Sequence, residues 1–160
     1  MIPTPPVVQM RLIVEAEDYE RAVHFYRDVL GLREQAAFEG SGDARVAILE
    51  AGRATLELAN PAQKQMIDEV EVGRQVGPRI RVAFEVPDSA EGTERLVAAG
   101  AELVAPPTET PWRSLNSRLE APAGLQITLF EELETLEGRA RRGGFGTDAS
   151  RYGRDDAHLD

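Results

Sequence analysis

Apolar and polar residues alternate along two stretches of the chain that resemble each other. Residues 11–18 read RLIVEAED, and residues 81–88, which lie 70 positions later, read RVAFEVPD. Alternation with a period of two is typical of a strand that is buried on one face. The agreement between the two stretches indicates a duplicated unit, each copy of which begins with a strand.

Each of these strands is followed by the signals of a helix. Asp18 and Asp88 are suited to cap a helix N-terminus, and Gly31 and Gly100 are suited to end the helix that follows. The two glycines are 69 positions apart. In the first copy, apolar residues at helical spacing predict one buried face: Ala22, Val23, Phe25, Tyr26, Val29 and Leu30.

Three further strands are predicted after each glycine. They lie at residues 32–38, 45–50 and 54–59 in the first copy, and at residues 102–105, 115–120 and 126–130 in the second. Turn-forming sequences such as GSG and PAG separate them. The order strand, helix, strand, strand, strand therefore occurs twice, which predicts an α+β chain with two tandem βαβββ modules.

Four parts of the chain follow from these elements. They are a first module at residues 1–60, a linker at 61–78, a second module at 79–131 and a tail at 132–160. In the linker, Met66, Ile67 and Val70 are spaced as on one face of a short amphipathic helix. The tail is charged and rich in glycine, so we expect it to be disordered or to pack on another subunit.

Composition limits the classes of partner. The formal net charge of −10 argues against nucleic acid and favours a cationic ligand, unless the acidity serves solubility alone. No apolar run approaches the roughly 20 residues that span a bilayer, and the start of the chain lacks the features of a signal peptide. Together with the absence of cysteine, these features predict a cytoplasmic protein without membrane or nucleic-acid partners.

Two motifs indicate a family. Residues 18–31 read DYERAVHFYRDVLG, and residues 122–130 read PAGLQITLF. They resemble the glyoxalase, bleomycin-resistance and extradiol dioxygenase superfamily, also called vicinal oxygen chelate proteins, and the resemblance covers residues 7–131. It implies modules that form an open, cup-like mixed β-barrel with flanking helices around a small-molecule cavity, usually within a homodimer. The linker helix would then lie over the opening of the barrel or at the dimer contact.

The resemblance also locates the metal ligands of metal-using members. In this chain those positions fall on Arg11, Glu57, Arg81 and Thr128. Of the four, Glu57 is a competent ligand, because guanidiniums have no lone pair to give a cation. The histidines of the chain, His24 and His158, are poorly placed. We therefore expect no metal and no cofactor, and we do not expect metal-assisted isomerase or dioxygenase chemistry.

Strand alternation places these four positions on the cavity side. One interpretation is a salt-bridge network of Arg11, Glu57 and Arg81 that only fills the site. The other is a guanidinium fork that holds a carboxylate, phosphate or enolate of a ligand. Aromatic and polar contacts are predicted from Phe38, Trp112 and Arg113, although Trp112 could equally be a packing anchor.

Two main hypotheses of function follow. In the first, the protein is a metal-free binder of a small aromatic or cationic molecule in the barrel cavity. In the second, it is a metal-independent lyase or isomerase, with Glu57 as the base and Arg11 or Arg81 stabilising the anion. A third is an interaction module that makes contact through the tail. The sequence identifies neither the ligand nor whether the protein is an enzyme.

Overall fold

The computed structural model describes most of the chain between residues 11 and 141. The described residues are 11–12, 14, 16–39, 41–54, 57, 60–135, 137–138 and 141. The helices are α1 (Tyr19–Val23), which continues into a π-helical turn (His24–Val29), α2 (Pro61–Glu71) and α3 (Ser89–Ala98). The strands are β1 (Glu34–Glu39), β2 (Arg45–Leu49), β3 (Val82–Glu85), β4 (Glu102–Glu109), β5 (Ser114–Ala121) and β6 (Leu125–Glu132).

Four of the strands form one sheet, in the order β3-β6-β5-β4. β3 runs parallel to β6, and the other neighbouring strands are antiparallel. Because α3 connects β3 to β4, the second copy has the predicted βαβββ order, and Pro122–Gly124 forms the short turn between β5 and β6. The α+β class is confirmed, and the sheet is open rather than closed.

The first copy contributes α1, its π-helical turn and an antiparallel hairpin of β1 and β2. The described residues of the predicted strand at 11–18 form no strand, and they lie outside the two sheets of the described part of the chain. Most of the predicted strand at 54–59 lies outside the described residues.

An extra residue distinguishes the first helix from the second. Near the start of the helices, equivalent residues such as Phe25 and Arg95 are 70 positions apart in the sequence. At their ends, equivalent residues such as Leu30 and Ala99 are 69 positions apart, so the first helix contains one residue more. The equivalent closing bonds run from Leu30 N to Phe25 O at 2.8 Å and from Ala99 N to Arg95 O at 3.1 Å. The first bond therefore encloses one residue more than the second. Since a π-helical bond spans one residue more than an α-helical bond, the insertion is accommodated within the helix.

The hydrophobic core lies between these two helices and one face of the sheet. Its buried members are Ala22, Phe25, Tyr26, Leu96, Ala101, Leu119, Ile127 and Leu129. Tyr26 also reaches the turn between β5 and β6, where its hydroxyl donates to Pro122 O at 2.8 Å. Burial raises the pKa of the Tyr26 hydroxyl. The two copies therefore share one core.

The linker contains α2, which packs on the face of the sheet opposite the core. Asn60 caps the helix by accepting from Gln63 N at 2.9 Å. The buried face differs from the predicted one: Asp68 and Glu71 are 2% and 4% exposed, whereas Met66 is 39% exposed. Ile67 and Val70 of the predicted apolar face are half-buried, and the two carboxylates lie deepest because the strand face beneath the helix is itself polar and charged.

Candidate ligand site

One face of the four-stranded sheet is polar, and we call it the polar face. It consists of Arg81, Asn116, Arg118, Gln126 and Thr128, whose side chains alternate along the strands with those of the core. Arg118 lies opposite Thr128 in the register of β5 and β6. Because side chains on the same face of neighbouring strands are within reach of one another, these groups can form one site.

Arg118 is the most deeply placed charge on this face, at 1% exposure. One of its terminal nitrogens donates to Asp68 Oδ1 at 3.1 Å and to Gln126 Oε1 at 3.1 Å. The other donates to Glu71 Oε2. Two carboxylates from α2 therefore form buried ion pairs with a guanidinium from β5. Removing only one partner of such a pair is costly, because the other charge is left buried without compensation.

Neighbouring polar groups extend this cluster. Lys64 donates to Asp68 Oδ2, and Asn116 Nδ2 donates to Glu71 Oε1 at 2.7 Å. Burial alone would raise the pKa of Asp68, but the hydrogen bonds from Lys64 and Arg118 outweigh it and hold that pKa below its usual value. Asp68 is therefore a carboxylate at neutral pH.

Two buried atoms of the cluster have no hydrogen-bond partner in the described part of the chain. They are the amide oxygen of Asn116, which is an acceptor, and Nε of Arg118, which is a donor. Buried polar atoms are rarely left without a partner, because the loss of water is then uncompensated. The polar face therefore has hydrogen-bonding capacity that its own side chains do not use.

Arg81 lies beside this cluster and is half-buried. Its Nη1 donates to Thr128 Oγ1 at 2.6 Å, which brings together two of the four positions predicted to converge. Burial lowers the pKa of Arg81, the nearby charge of Arg118 lowers it further, and Glu71, Asp68 and Glu57 partly oppose these effects. Within the described residues, no carboxylate forms an ion pair with Arg81.

The other two predicted positions are exposed. Glu57 is near enough to act electrostatically on Arg81, but the described residues contain no ion pair between them. Arg11 is also exposed. Among the described contacts, the hydrogen-bond partner of Arg81 is Thr128 rather than Glu57.

Trp112 and Arg113 form the tip of the hairpin between β4 and β5. The turn is closed by Thr110 and Ser114, with Ser114 N donating to Thr110 Oγ1 at 3.2 Å. Arg113 has a φ of 62°, a left-handed conformation that is unusual for a residue with a side chain. Its guanidinium donates to Glu109 Oε1 at 2.9 Å. Trp112 is half-buried.

Phe38 lies elsewhere, on the hairpin of the first copy. It is 60% exposed and lines an open groove of about 540 Å³ between α1 and β1, together with Tyr19, Arg27 and Arg45. A second groove of about 430 Å³ lies between α3 and β4, next to Val97 and Leu103. Neither groove includes Arg81 or Trp112. The wall predicted to face Arg81 includes residues 54–59, which are mostly outside the described residues.

The sequence did not single out Arg118 of the polar face, nor the residues of α2 that cover this face, namely Lys64, Asp68 and Glu71. A signal was available for Arg118. In the predicted strand at 115–120 it alternates with Ser117 and Leu119, so its side chain points away from the face of Leu119, and the observed register places it opposite Thr128. The carboxylates of α2 have no such signal, because an apolar pattern at helical spacing does not distinguish a buried carboxylate from an exposed one.

His24, which the sequence indicates is poorly placed as a metal ligand, is in the described part of the chain. It lies in the π-helical turn, is exposed, and its Nδ1 is 3.1 Å from Asp28 Oδ2. No group of three or more histidine, aspartate or glutamate side chains converges among the described residues. His158 lies outside them.

Comparison with known proteins defines the class. The family model of the Glyoxalase/Bleomycin resistance protein/Dioxygenase superfamily matches residues 10–129, so the chain belongs to that superfamily. No protein of curated function matches it. None of the helices in the described part is long and apolar enough to cross a membrane.

Three solved structures are similar to this chain. TnmS3, an antibiotic binding protein from Streptomyces sp. CB03234, is 19% identical with a TM-score of 0.53, over 81% of this chain and 99% of that chain. The hypothetical protein SA1046 from S. aureus is 14% identical with a TM-score of 0.54, over 79% of this chain and 95% of that chain. A glyoxalase/bleomycin resistance protein/dioxygenase from Nocardioides is 26% identical with a TM-score of 0.45, over 83% of this chain and 87% of that chain.

Proposed function

We propose that this member of the superfamily binds a small molecule, without a metal ion, on the polar face of its four-stranded sheet. The observation that carries the proposal is the state of Arg81. Its guanidinium is half-buried, and its hydrogen-bond partner among the described residues is the neutral hydroxyl of Thr128. A cation that has lost water without gaining a carboxylate favours a negatively charged or strongly polar oxygen of a ligand.

The ligand class that suits this site is an aromatic compound with an acidic oxygen, such as a carboxylate or an enolate. The net charge of −10 favours cations at a distance, but salt screens exposed charges beyond about 10 Å. Arg81 therefore decides which ligand charge is accepted at the polar face itself. Of the two ligand classes predicted from the sequence, aromatic and cationic, we retain the aromatic one. TnmS3, which has the same fold and is an antibiotic binding protein, supports small-molecule binding.

The metal-free part of the proposal depends on the donor set. Arg81 and Thr128 occupy two of the positions at which the resemblance places metal ligands, and a guanidinium repels a divalent cation. These residues do not fit a metal. We expect Ni²⁺, Mn²⁺, Zn²⁺ and Fe²⁺ to leave the Tm unchanged in a thermal-shift assay, and a saturable rise with any of them would contradict this part.

Assembly and location complete the proposal. In keeping with the family resemblance, we propose a cytoplasmic homodimer. Sedimentation equilibrium of the full chain tests the oligomeric state, and a monomer at all concentrations would refute it.

The direct test of the ligand site is a screen of aromatic carboxylates by thermal shift, followed by calorimetric titration of the compounds that bind. Arg81→Met is expected to weaken binding by about tenfold to a hundredfold, because a charge-assisted hydrogen bond is lost. Arg95→Met is the matched control, since Arg95 is exposed on α3 at the opposite side of the sheet. Equal affinities of the wild type and Arg81→Met would place the ligand elsewhere.

The lyase or isomerase alternative is favoured by one observation. Glu57 is exposed and acts on Arg81 without an ion pair among the described residues, so its carboxylate is not held by that arginine. If Glu57 is a base, Glu57→Gln abolishes turnover while ligand affinity persists. In the binding protein we propose, no carboxylate ligand is converted, and nuclear magnetic resonance spectra of ligand incubated with the protein stay unchanged.

A further inference from the structure

The charges of α2 act on the same face as Arg81. Asp68 and Glu71 bind Arg118 directly, and both also act on Arg81 through space. Lys64 pairs with Asp68, so two cations meet two carboxylates in this cluster. Arg81 lies outside the paired set, because its hydrogen-bond partner among the described residues is a hydroxyl.

The ion pairs of Arg118 with Asp68 and Glu71 determine how much positive charge a ligand encounters on the polar face. Without the α2 carboxylates, Arg81 and Arg118 would present two neighbouring guanidiniums, a combination suited to a dianion such as a phosphate or a dicarboxylate. With them, the charge of Arg118 is cancelled at close range. Glu57 is exposed and therefore more strongly screened by water than Asp68 and Glu71.

We infer that Asp68 and Glu71 are specificity-determining residues, which neutralise Arg118 and restrict the polar face to ligands with a single negative charge. The inference rests on the proposed function, since it concerns the ligand that Arg81 binds. It assigns α2 a role in selecting the ligand by charge, although its carboxylates need not touch the ligand.

The test compares two probes that differ by one carboxylate on the same ring, benzoate and isophthalate, in calorimetric titrations of the full chain. The wild type is expected to bind benzoate at least as tightly as isophthalate. In Glu71→Gln one negative charge is removed beside Arg118. The affinity for isophthalate relative to benzoate is then expected to rise by about tenfold, because the added carboxylate gains the field of an uncompensated cation.

A charge-neutral double variant is the matched control. Arg118→Met combined with Glu71→Met removes one cation and one anion together, and buried pairs replaced by apolar side chains are often tolerated. Its preference between the two probes is expected to equal that of the wild type. If the double variant changes the preference as much as Glu71→Gln does, the shape of the face selects the ligand and the inference is overturned.

A second variant covers the case in which Glu71→Gln does not fold. The side chain of Lys64 is 36% exposed, so Lys64→Met removes a cation at smaller structural cost. It is expected to weaken isophthalate binding more than benzoate binding. An unchanged ratio in the folded variants, or tighter isophthalate binding by the wild type, refutes the inference while leaving the proposed site intact. Failure of both probes to bind any variant refutes the proposed site as well.

Discussion

Arg113 occupies a backbone conformation that favours glycine, and replacing it tests what holds the residue there. At a φ of 62° the side chain is crowded against its own backbone, which costs about 1–2 kcal/mol for a residue with a Cβ. Glycine relieves this strain but loses about 0.5–1 kcal/mol through the greater freedom of its unfolded chain. The ion pair with Glu109 is exposed on both sides and contributes about 0.5 kcal/mol or less.

Arg113→Gly is therefore expected to stabilise the fold by about 0.5 kcal/mol, and Arg113→Ala to destabilise it slightly. The alanine variant is the matched control, because it removes the same guanidinium and keeps the strained backbone. Both variants retain the turn bonds, in which Arg113 N donates to Thr110 O at 3.0 Å and Leu133 N donates to Arg113 O at 3.0 Å. The difference between the two variants, about 1 kcal/mol, isolates the backbone effect.

Urea unfolding followed by far-ultraviolet circular dichroism measures these changes, since the fluorescence of Trp112 would respond to the neighbouring substitution itself. Unchanged m-values would show that the compared states are the same. If Arg113→Gly is less stable than Arg113→Ala, the conformation is not strained and the reasoning is wrong. The same variants measure ligand contact: loss of affinity in a more stable protein would show that Arg113 is retained for binding.

Three further predictions concern the helices and the core. Folding raises the pKa of the Tyr26 hydroxyl, so the contribution of this group to stability should be intact below pH about 9 and decline above pH about 10. Tyr26→Phe should cost about 1 kcal/mol of stability at pH 7 and should reduce the decline at high pH. Urea titrations at several pH values measure both effects. Gly100→Ala should destabilise the fold by more than about 1 kcal/mol in urea titrations, since φ is 105° and a Cβ would lie 3.2 Å from Arg21 Nη2. Deletion of Asp28 should convert the π-helical turn to an α-helical one with a smaller loss of Tm than deletion of Ala98 from α3, and equal losses would contradict the insertion.

The parts of the fold that were predictable are those that depend on local signals. Both predicted caps are present, with Asp18 accepting from Arg21 N at 3.1 Å and Asp88 from Glu91 N at 2.9 Å. The three strands after Gly100 were also located, since alternation along a strand is a property of the strand itself. Such features need no knowledge of what lies across the core.

The polar face was less predictable, because its organisation depends on contacts across the fold. The approach of Asp68 to Arg118 joins residues 50 positions apart in the chain. A hydrophobic pattern describes which side chains avoid water, and along a helix it assigns carboxylates such as Asp68 and Glu71 to the surface. It cannot indicate that two carboxylates on one helix face are buried because a guanidinium on a distant strand pairs with them.

The position of α2 also gives the equivalent arginines of the two copies different surroundings. Arg11 and Arg81 occupy equivalent positions of the duplicated sequence, so a pattern treats them alike. One helix, α2, follows the first copy and packs on the sheet of the second, where its carboxylates act on Arg81. Arg81 is half-buried and Arg11 is exposed. A duplication alone would supply two guanidiniums in similar surroundings. Because α2 lies between the copies in sequence and packs on the second, Arg81 is the stronger candidate for binding a ligand.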